Sequence, residues 1–253
     1  MSTVYQNPKY YEIAFSFRDI AGEVDVFESL IQQYSFIPVS KMFEVACGPA
    51  PHLEELTRRG YAYEGLDLSI EMLAYSRAKA DVCGARTRFY QDDLADFELA
   101  EQVDFAFVLL GSLYTRNTEE LVTHFDCMGK ALKPGGLYLL DWCVVYEPNL
   151  EDPDPWENVQ GPITVVSTYQ SRFVDPVEQI NEESLTLEVD DAGVKKIIHE
   201  SWVSREIFPQ EFLLFIDARS DFEFIGWWND WDLSQPLNGS QEISRPITVL
   251  RRL

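Results

Sequence analysis

KMFEVACGPAPHLEELTRRGYAYEGLD, Lys41 to Asp67, holds one complete structural unit. Its apolar run Met42-Phe43-Glu44-Val45-Ala46 has the length and content of a buried strand. The chain then turns sharply at Cys47-Gly48-Pro49. A helix is predicted from about Ala50 to Arg59, with Leu53 and Leu56 on one face, and Gly60 is its natural stop. A second strand, Tyr61 to Leu66, ends in Asp67. Strand, tight glycine turn, helix, strand and acid make half of a nucleotide-binding α/β unit. A glycine at the turn lets a ligand approach the backbone. The helix N-terminus offers unpaired N–H groups, and the terminal acid can accept the two hydroxyls of a ribose. Pro49 and Pro51 are tolerated in a first helical turn, where their missing N–H has no partner. A pyrophosphate site needs several glycines, and this turn has only Gly48, so a smaller, less anionic ligand suits it. An ordinary strand–helix–strand unit with no ligand at its turn is the alternative.

The chain of 253 residues can bury a full core. Its 46% hydrophobic and 25% charged content is that of a soluble globular protein. The net charge of −23 argues against nucleic acid and against anionic membrane surfaces, since both require a basic footprint. Its simplest consequence is solubility. The longest apolar candidate, Phe105 to Leu110, stops at Gly111, far short of a membrane span. The N-terminus lacks a basic segment followed by an apolar one, so the expectation is a cytoplasmic protein. Cys47, Cys83, Cys127 and Cys143 form no CxxC pair and are expected as free thiols. His52, His124 and His199 are scattered and give no metal-ligand spacing. His52, at a helix N-terminus, is expected neutral and structural, because a cation is disfavoured there.

Along the chain, an aromatic-rich helix is predicted over Lys9 to Arg18 and a second over Glu23 to Tyr34, placed to close over a cleft. Ser69 is a good N-cap for a helix running to about Ala80. Thr87–Gln91 and Val103–Leu110 read as strands, Asn117–Leu132 as a helix, Lys133 to Gly136 as a turn, and Leu137–Cys143 as a fifth strand. This order calls for an open parallel sheet with ligands at the carboxyl ends of its strands. After Glu147–Trp156, a proline- and acid-rich loop, three long alternating segments follow: Ile163–Phe173, Gln179–Val189 and Val194–Ile207. They predict an antiparallel meander. Pro209–Asp217 is a last helix, and Phe222–Trp228 and Ile247–Arg252 are closing strands.

In order, FEVACGP, GLDLSIEML, QDDLADF, LKPGGLYLLD and the final RPITVLRRL resemble the motif series of the class I S-adenosylmethionine-dependent methyltransferases, in the small-molecule branch with a β-insertion after the fifth strand. The resemblance spans about Tyr10 to Leu253. It implies an α/β fold: a Rossmann-like sheet, mostly parallel with an antiparallel last strand, plus an inserted antiparallel β-meander. It divides the chain into a helical lid over 1–40, a cofactor-binding domain over 41–145 and 208–253, and an inserted β-layer over 146–207. The first motif departs from the family's GxGxG pattern at Ala50 and His52, which makes the turn bulkier.

The implied cofactor is S-adenosyl-L-methionine, and the implied activity is methyl transfer to a nitrogen or oxygen of a small molecule. By resemblance, Glu44 and the backbone from Ala46 to Gly48 lie under the methionine moiety. Asp67 bonds the ribose hydroxyls, and Leu68 and Met72 pack on the adenine. Asp93 accepts the adenine amino group, with Leu94 offering its backbone N–H. Leu110 passes beside the methionine, and Arg18 pairs with the cofactor carboxylate. Tyr11 and His199 are the candidates for a catalytic role, with Tyr11 equally suited to packing a lid; no metal is implied. A non-catalytic cofactor-binding protein and a nucleotide-dependent oxidoreductase are the alternatives. The expected partner is a small-molecule substrate, in a monomer or a homodimer.

Overall fold

A computed structural model describes residues 3–146, 155–239 and 242–253. The predicted loop over Glu147–Trp156 lies mostly outside the described residues. Helices α1 (Pro8–Ala14) and α2 (Ile20–Tyr34) come first. Then follow β1 (Lys41–Val45), α3 (Leu53–Arg58), β2 (Ala62–Asp67), α4 (Ile70–Cys83), β3 (Thr87–Gln91), β4 (Val103–Val108), α5 (Thr118–Ala131) and β5 (Leu132–Asp141). Four more strands, β6 (Trp156–Gln160), β7 (Ile163–Asp175), β8 (Ile180–Asp191) and β9 (Val194–Arg205), precede α6 (Pro209–Asp217), β10 (Phe222–Trp228) and β11 (Ile247–Arg252).

The first sheet has the order β10-β11-β5-β4-β1-β2-β3. Its strands β1 to β5 pair in parallel, and β11 runs antiparallel between β5 and β10. Pairings Val45↔Leu66, Val45↔Val108 and Val108↔Leu140 bring the carboxyl ends of β1, β2, β4 and β5 to one level. Strand order reverses between β1 and β4, the point at which open α/β sheets bind ligands. Every residue of β4 is buried, because helices cover both faces. Phe43, Val45, Ala106 and Val108 point to the face carrying Phe125 of α5 and Phe212 of α6. Met42, Phe105 and Phe107 point to the face carrying Phe27 of α2 and Leu53 of α3.

The second sheet, β6-β7-β8-β9, is antiparallel throughout. Its inner face packs Val165, Leu185, Leu187 and Ile198 against Tyr10 and Ile13 of α1.

Several elements differ from expectation for local reasons. Helix α3 begins at Leu53, not Ala50, because Ala50 adopts a left-handed φ of 48°. Helix α1 ends at Ala14, not Arg18, since Trp156 Nε1 and Asn158 Nδ2 both donate to the Ala14 carbonyl, at 2.6 and 2.9 Å. Those two side chains belong to β6, a strand too polar to announce itself. Lys133 to Gly136 lies inside β5 as an irregularity in its pairing with β4, where Gly136 approaches the Asp104 carbonyl so closely that a Cβ would sit 2.4 Å from it.

Candidate active site

The turn after β1 alternates conformations: Ala46, Gly48 and Ala50 all have left-handed φ values, 51°, 51° and 48°. Leu110 after β4 and Trp142 after β5 share that region, at 54° and 59°. Each non-glycine residue there costs about 1 kcal/mol, so backbone strain collects at the carboxyl edge of the sheet. A Cβ on Gly48 would meet only Tyr11, at 3.9 Å, so the turn faces open space and the N-terminal segment.

Asp67 fastens this turn. Its Oδ2 accepts the Gly48 N–H at 2.8 Å, and its Oδ1 accepts the Ser69 N–H at 2.8 Å. Burial pushes its carboxyl up, partly opposed by these two amides. Ser69 caps α4 by accepting from the Met72 amide, and Ser76 Oγ donates to the Gly48 carbonyl at 2.9 Å.

Beneath the turn lies a chain of buried charges. His52 Nδ1 faces Glu44 Oε1 at 3.3 Å, and Nε2 faces Glu23 Oε2 at 2.8 Å. Burial pushes the imidazole pKa down, but Glu44 and Glu23 more than reverse this, so His52 is raised above its ordinary value. The expectation of a neutral His52 is therefore corrected: a carboxylate faces each ring nitrogen, which outweighs its place before α3. Arg18 grips Glu23 through Nε, at 3.0 Å, and through Nη2. Arg245 bridges Glu23, at 2.6 Å, to Asp141, at 2.9 Å. Asp141 in turn accepts the Leu110 N–H at 3.0 Å and Trp231 Nε1–H at 3.1 Å. Three cations thus balance three carboxylates across α2, β1, β5 and the segment before β11.

Two cavities open here. A small one of about 50 Å³ is bounded by Tyr11, Arg18, Glu44, Ala46, Gly48 and Leu110. A large one of about 650 Å³ extends between the two sheets. Tyr11, Phe15 and Leu110 line both, so the two spaces meet at these residues. Burial raises the Tyr11 phenol well above its ordinary value, which keeps it protonated.

Leu68 is 69% exposed, beside Asp67. Met72 is fully buried in the first turn of α4, where its amide donates to Ser69 Oγ. Asp93 is half-buried, and its Oδ1 accepts the Ala95 N–H at 2.9 Å. The Leu94 carbonyl accepts from Nδ1 of buried His124 at 2.7 Å; burial lowers that imidazole to about 4 and keeps it neutral. His199 is corrected outright. It lies exposed on the outer face of β9, bonded to Thr186, while its neighbours Ile198 and Trp202 point inward.

Sequence reading missed Arg245 and Asp141, and it missed Glu183 and Glu206, which line the large cavity. A signal existed for Glu183: it occupies the inward register of β8, shared with Leu185, Leu187 and Val189, where an acid is out of place.

The fold and its strand-end turn are those of the class I methyltransferase fold, and residues 42–136 match the family model described as "Methyltransferase domain". Among curated relatives, a dTDP-3-amino-3,4,6-trideoxy-alpha-D-glucopyranose N,N-dimethyltransferase of Streptomyces venezuelae is 28% identical over 125 residues, 49% of this chain and 51% of that one. The chain spans about half the length of the curated relatives it matches. Over the whole fold, an S-adenosylmethionine-dependent methyltransferase of Clostridium acetobutylicum superposes with a TM-score of 0.78 at 16% identity, covering 96% of both chains. The sugar N-methyltransferase KedS8 of a Streptoalloteichus species superposes with a TM-score of 0.74 at 21% identity, covering 100% of this chain and 94% of that one.

Proposed function

We propose that this protein transfers a methyl group from S-adenosyl-L-methionine to a small-molecule nucleophile, with nitrogen favoured over oxygen. The observation that carries the reading is the joined pair of spaces: a strand-end glycine turn tied to Asp67, opening past Tyr11 and Leu110 into a cavity of about 650 Å³. The residues fit the cofactor. Gly48 presents no Cβ, Leu68 is an exposed apolar surface next to Asp67, and Arg18 Nη1 has no partner among the described residues.

When bound, S-adenosyl-L-methionine supplies an electrophilic sulfonium methyl. Asp67 receives the ribose hydroxyls, Leu68 and Asp93 flank the adenine, and Leu94 offers its N–H. Glu44, Ala46, Gly48 and Leu110 line the methionine end, and Arg18 Nη1 takes its carboxylate. The buried charge network fixes Arg18 and Glu44 in place before any ligand arrives. Tyr11, at the junction, orients the acceptor for in-line displacement and helps exclude water. Residues 1–40 act as a lid, 41–145 and 208–253 as the cofactor domain, and 146–207 as the acceptor layer. The N,N-dimethyltransferase and sugar N-methyltransferase among the relatives support a nitrogen acceptor.

No described helix is long and apolar enough to cross a membrane. The free cysteines fit a reducing compartment, and we assign the protein to the cytoplasm. The charge of −23 supports a non-nucleic-acid substrate. Calorimetric titration of S-adenosyl-L-methionine into the protein tests the reading: saturable binding is expected, and no heat at millimolar cofactor overturns it.

A further inference from the structure

The large cavity ends on the inner face of β8 and β9, where side chains that accept hydrogen bonds converge. Glu183, 6% exposed, accepts Trp202 Nε1–H at 2.9 Å and the Ser204 hydroxyl. Glu206 Oε1 accepts Asn181 Nδ2–H at 2.9 Å, and its carboxyl lies within hydrogen-bonding reach of the Glu183 carboxyl, so the two acids share one proton. Asn181 is 4% exposed, and its Oδ1 is buried without a hydrogen bond. The charged residues lining the cavity are Glu157, Glu183, Glu206 and Arg205; the Arg205 guanidinium pairs with Glu211 through Nη2, while its Nε is buried without a partner among the described residues. Around the acids stand aromatic rings: Tyr114 packs on Trp202 with centroids 5.1 Å apart, and Tyr169 lines the same wall. Two adjacent acids and an unpaired amide oxygen are acceptors short of donors, and the acids carry negative charge to offset beside the aromatic faces. A cationic hydrogen-bond donor meets both needs.

We propose that Glu183, Glu206 and Asn181 form a subsite that takes a protonated amino group of the methyl acceptor, making this an enzyme for amine-bearing small molecules. The proposal rests on reading the large cavity as the acceptor site. An ammonium has donors for the Glu206 carboxyl, Asn181 Oδ1 and the Glu183 carboxylate, and it passes one proton to this carboxylate pair before its nitrogen has the lone pair that displaces the methyl. Burial, with repulsion from Glu183, pushes the Glu206 carboxyl up to about 7, a strain that an entering cation relieves. An anionic group at this end of the acceptor is repelled, so a phosphate does not enter here.

The test titrates D-glucosamine and benzylamine, against D-glucose and benzyl alcohol, into the full chain by calorimetry, with and without S-adenosylhomocysteine. Each amine is expected to bind at least about tenfold tighter than its alcohol partner. That preference should collapse in Glu183→Gln/Glu206→Gln, or in Glu206→Gln alone should the double variant fail to fold. Equal affinity for amine and alcohol, a preference that survives the substitutions, or no binding of either amine at millimolar concentration overturns the subsite. Affinity for S-adenosylhomocysteine reads the cofactor site separately. Its absence beside an intact amine preference sinks the methyltransferase reading and keeps the subsite, and the reverse pattern sinks the subsite alone.

Discussion

The amide of Gly48 donates to Asp67 Oδ2 at 2.8 Å, so the turn after β1 and the acid ending β2 are one rigid piece. A ligand that needs both the open turn and the acid meets them already assembled, without an ordering cost at binding.

Asp67→Ala should therefore weaken S-adenosyl-L-methionine by at least about tenfold, since the ribose contact and the support of Gly48 are lost together. Titration calorimetry on both proteins checks this, and unchanged affinity refutes the ribose assignment.

His52 offers a stability prediction with a defined sign. Its pKa is raised in the folded state, so its stabilisation is complete below the ordinary value of 6.5 and is lost as pH rises through the higher folded value. His52→Gln leaves Glu23 and Glu44 without their shared cation and should cost about 3 kcal/mol at about pH 6. Urea unfolding at about pH 6 and pH 9 should show the gap between wild type and variant narrowing at the higher pH.

Glu206 behaves oppositely to a salt-bridged acid. Its folded pKa of about 7 lies above the ordinary 4.5, so the native state loses stability as pH rises between those values. Glu206→Gln should remove that loss, making the variant more stable than wild type by roughly 2–3 kcal/mol at about pH 8 and little different at about pH 4. Denaturant midpoints at the two pH values decide it.

His199→Ala should leave cofactor affinity and turnover as they are, because the imidazole sits on the outer face of β9. A large loss of turnover with unchanged melting would return His199 to the site.

Local pattern carried most of the architecture. Helix α6 and strands β10 and β11 begin and end where their residue patterns place them, and the glycine turn with its acid is read from adjacent residues. What stayed hidden depends on distance. Arg245 meets Glu23 across 222 positions and Asp141 across 104, and no local periodicity encodes such a pairing. Strand β6 escaped because its exposed polar residues earn their place through Trp156 and Asn158 capping α1, a tertiary contact. His52 misled because the charge on an imidazole follows its neighbours in space, and Glu23 and Glu44 come from other elements. His199 misled because facing in a long strand turns on a parity set by the sheet's register.

Methyl transfer at the joined cavities is read out by product formation. The protein is incubated with S-adenosyl-L-methionine and a panel of amino sugars and arylalkyl amines, alongside their hydroxyl counterparts. Mass spectrometry then quantifies S-adenosylhomocysteine and methylated product. One methylated amine is expected for each S-adenosylhomocysteine released, with the activity abolished or severely reduced in Asp67→Ala. Cofactor that binds without any amine being methylated across the panel, or methylation undiminished in Asp67→Ala, would contradict it.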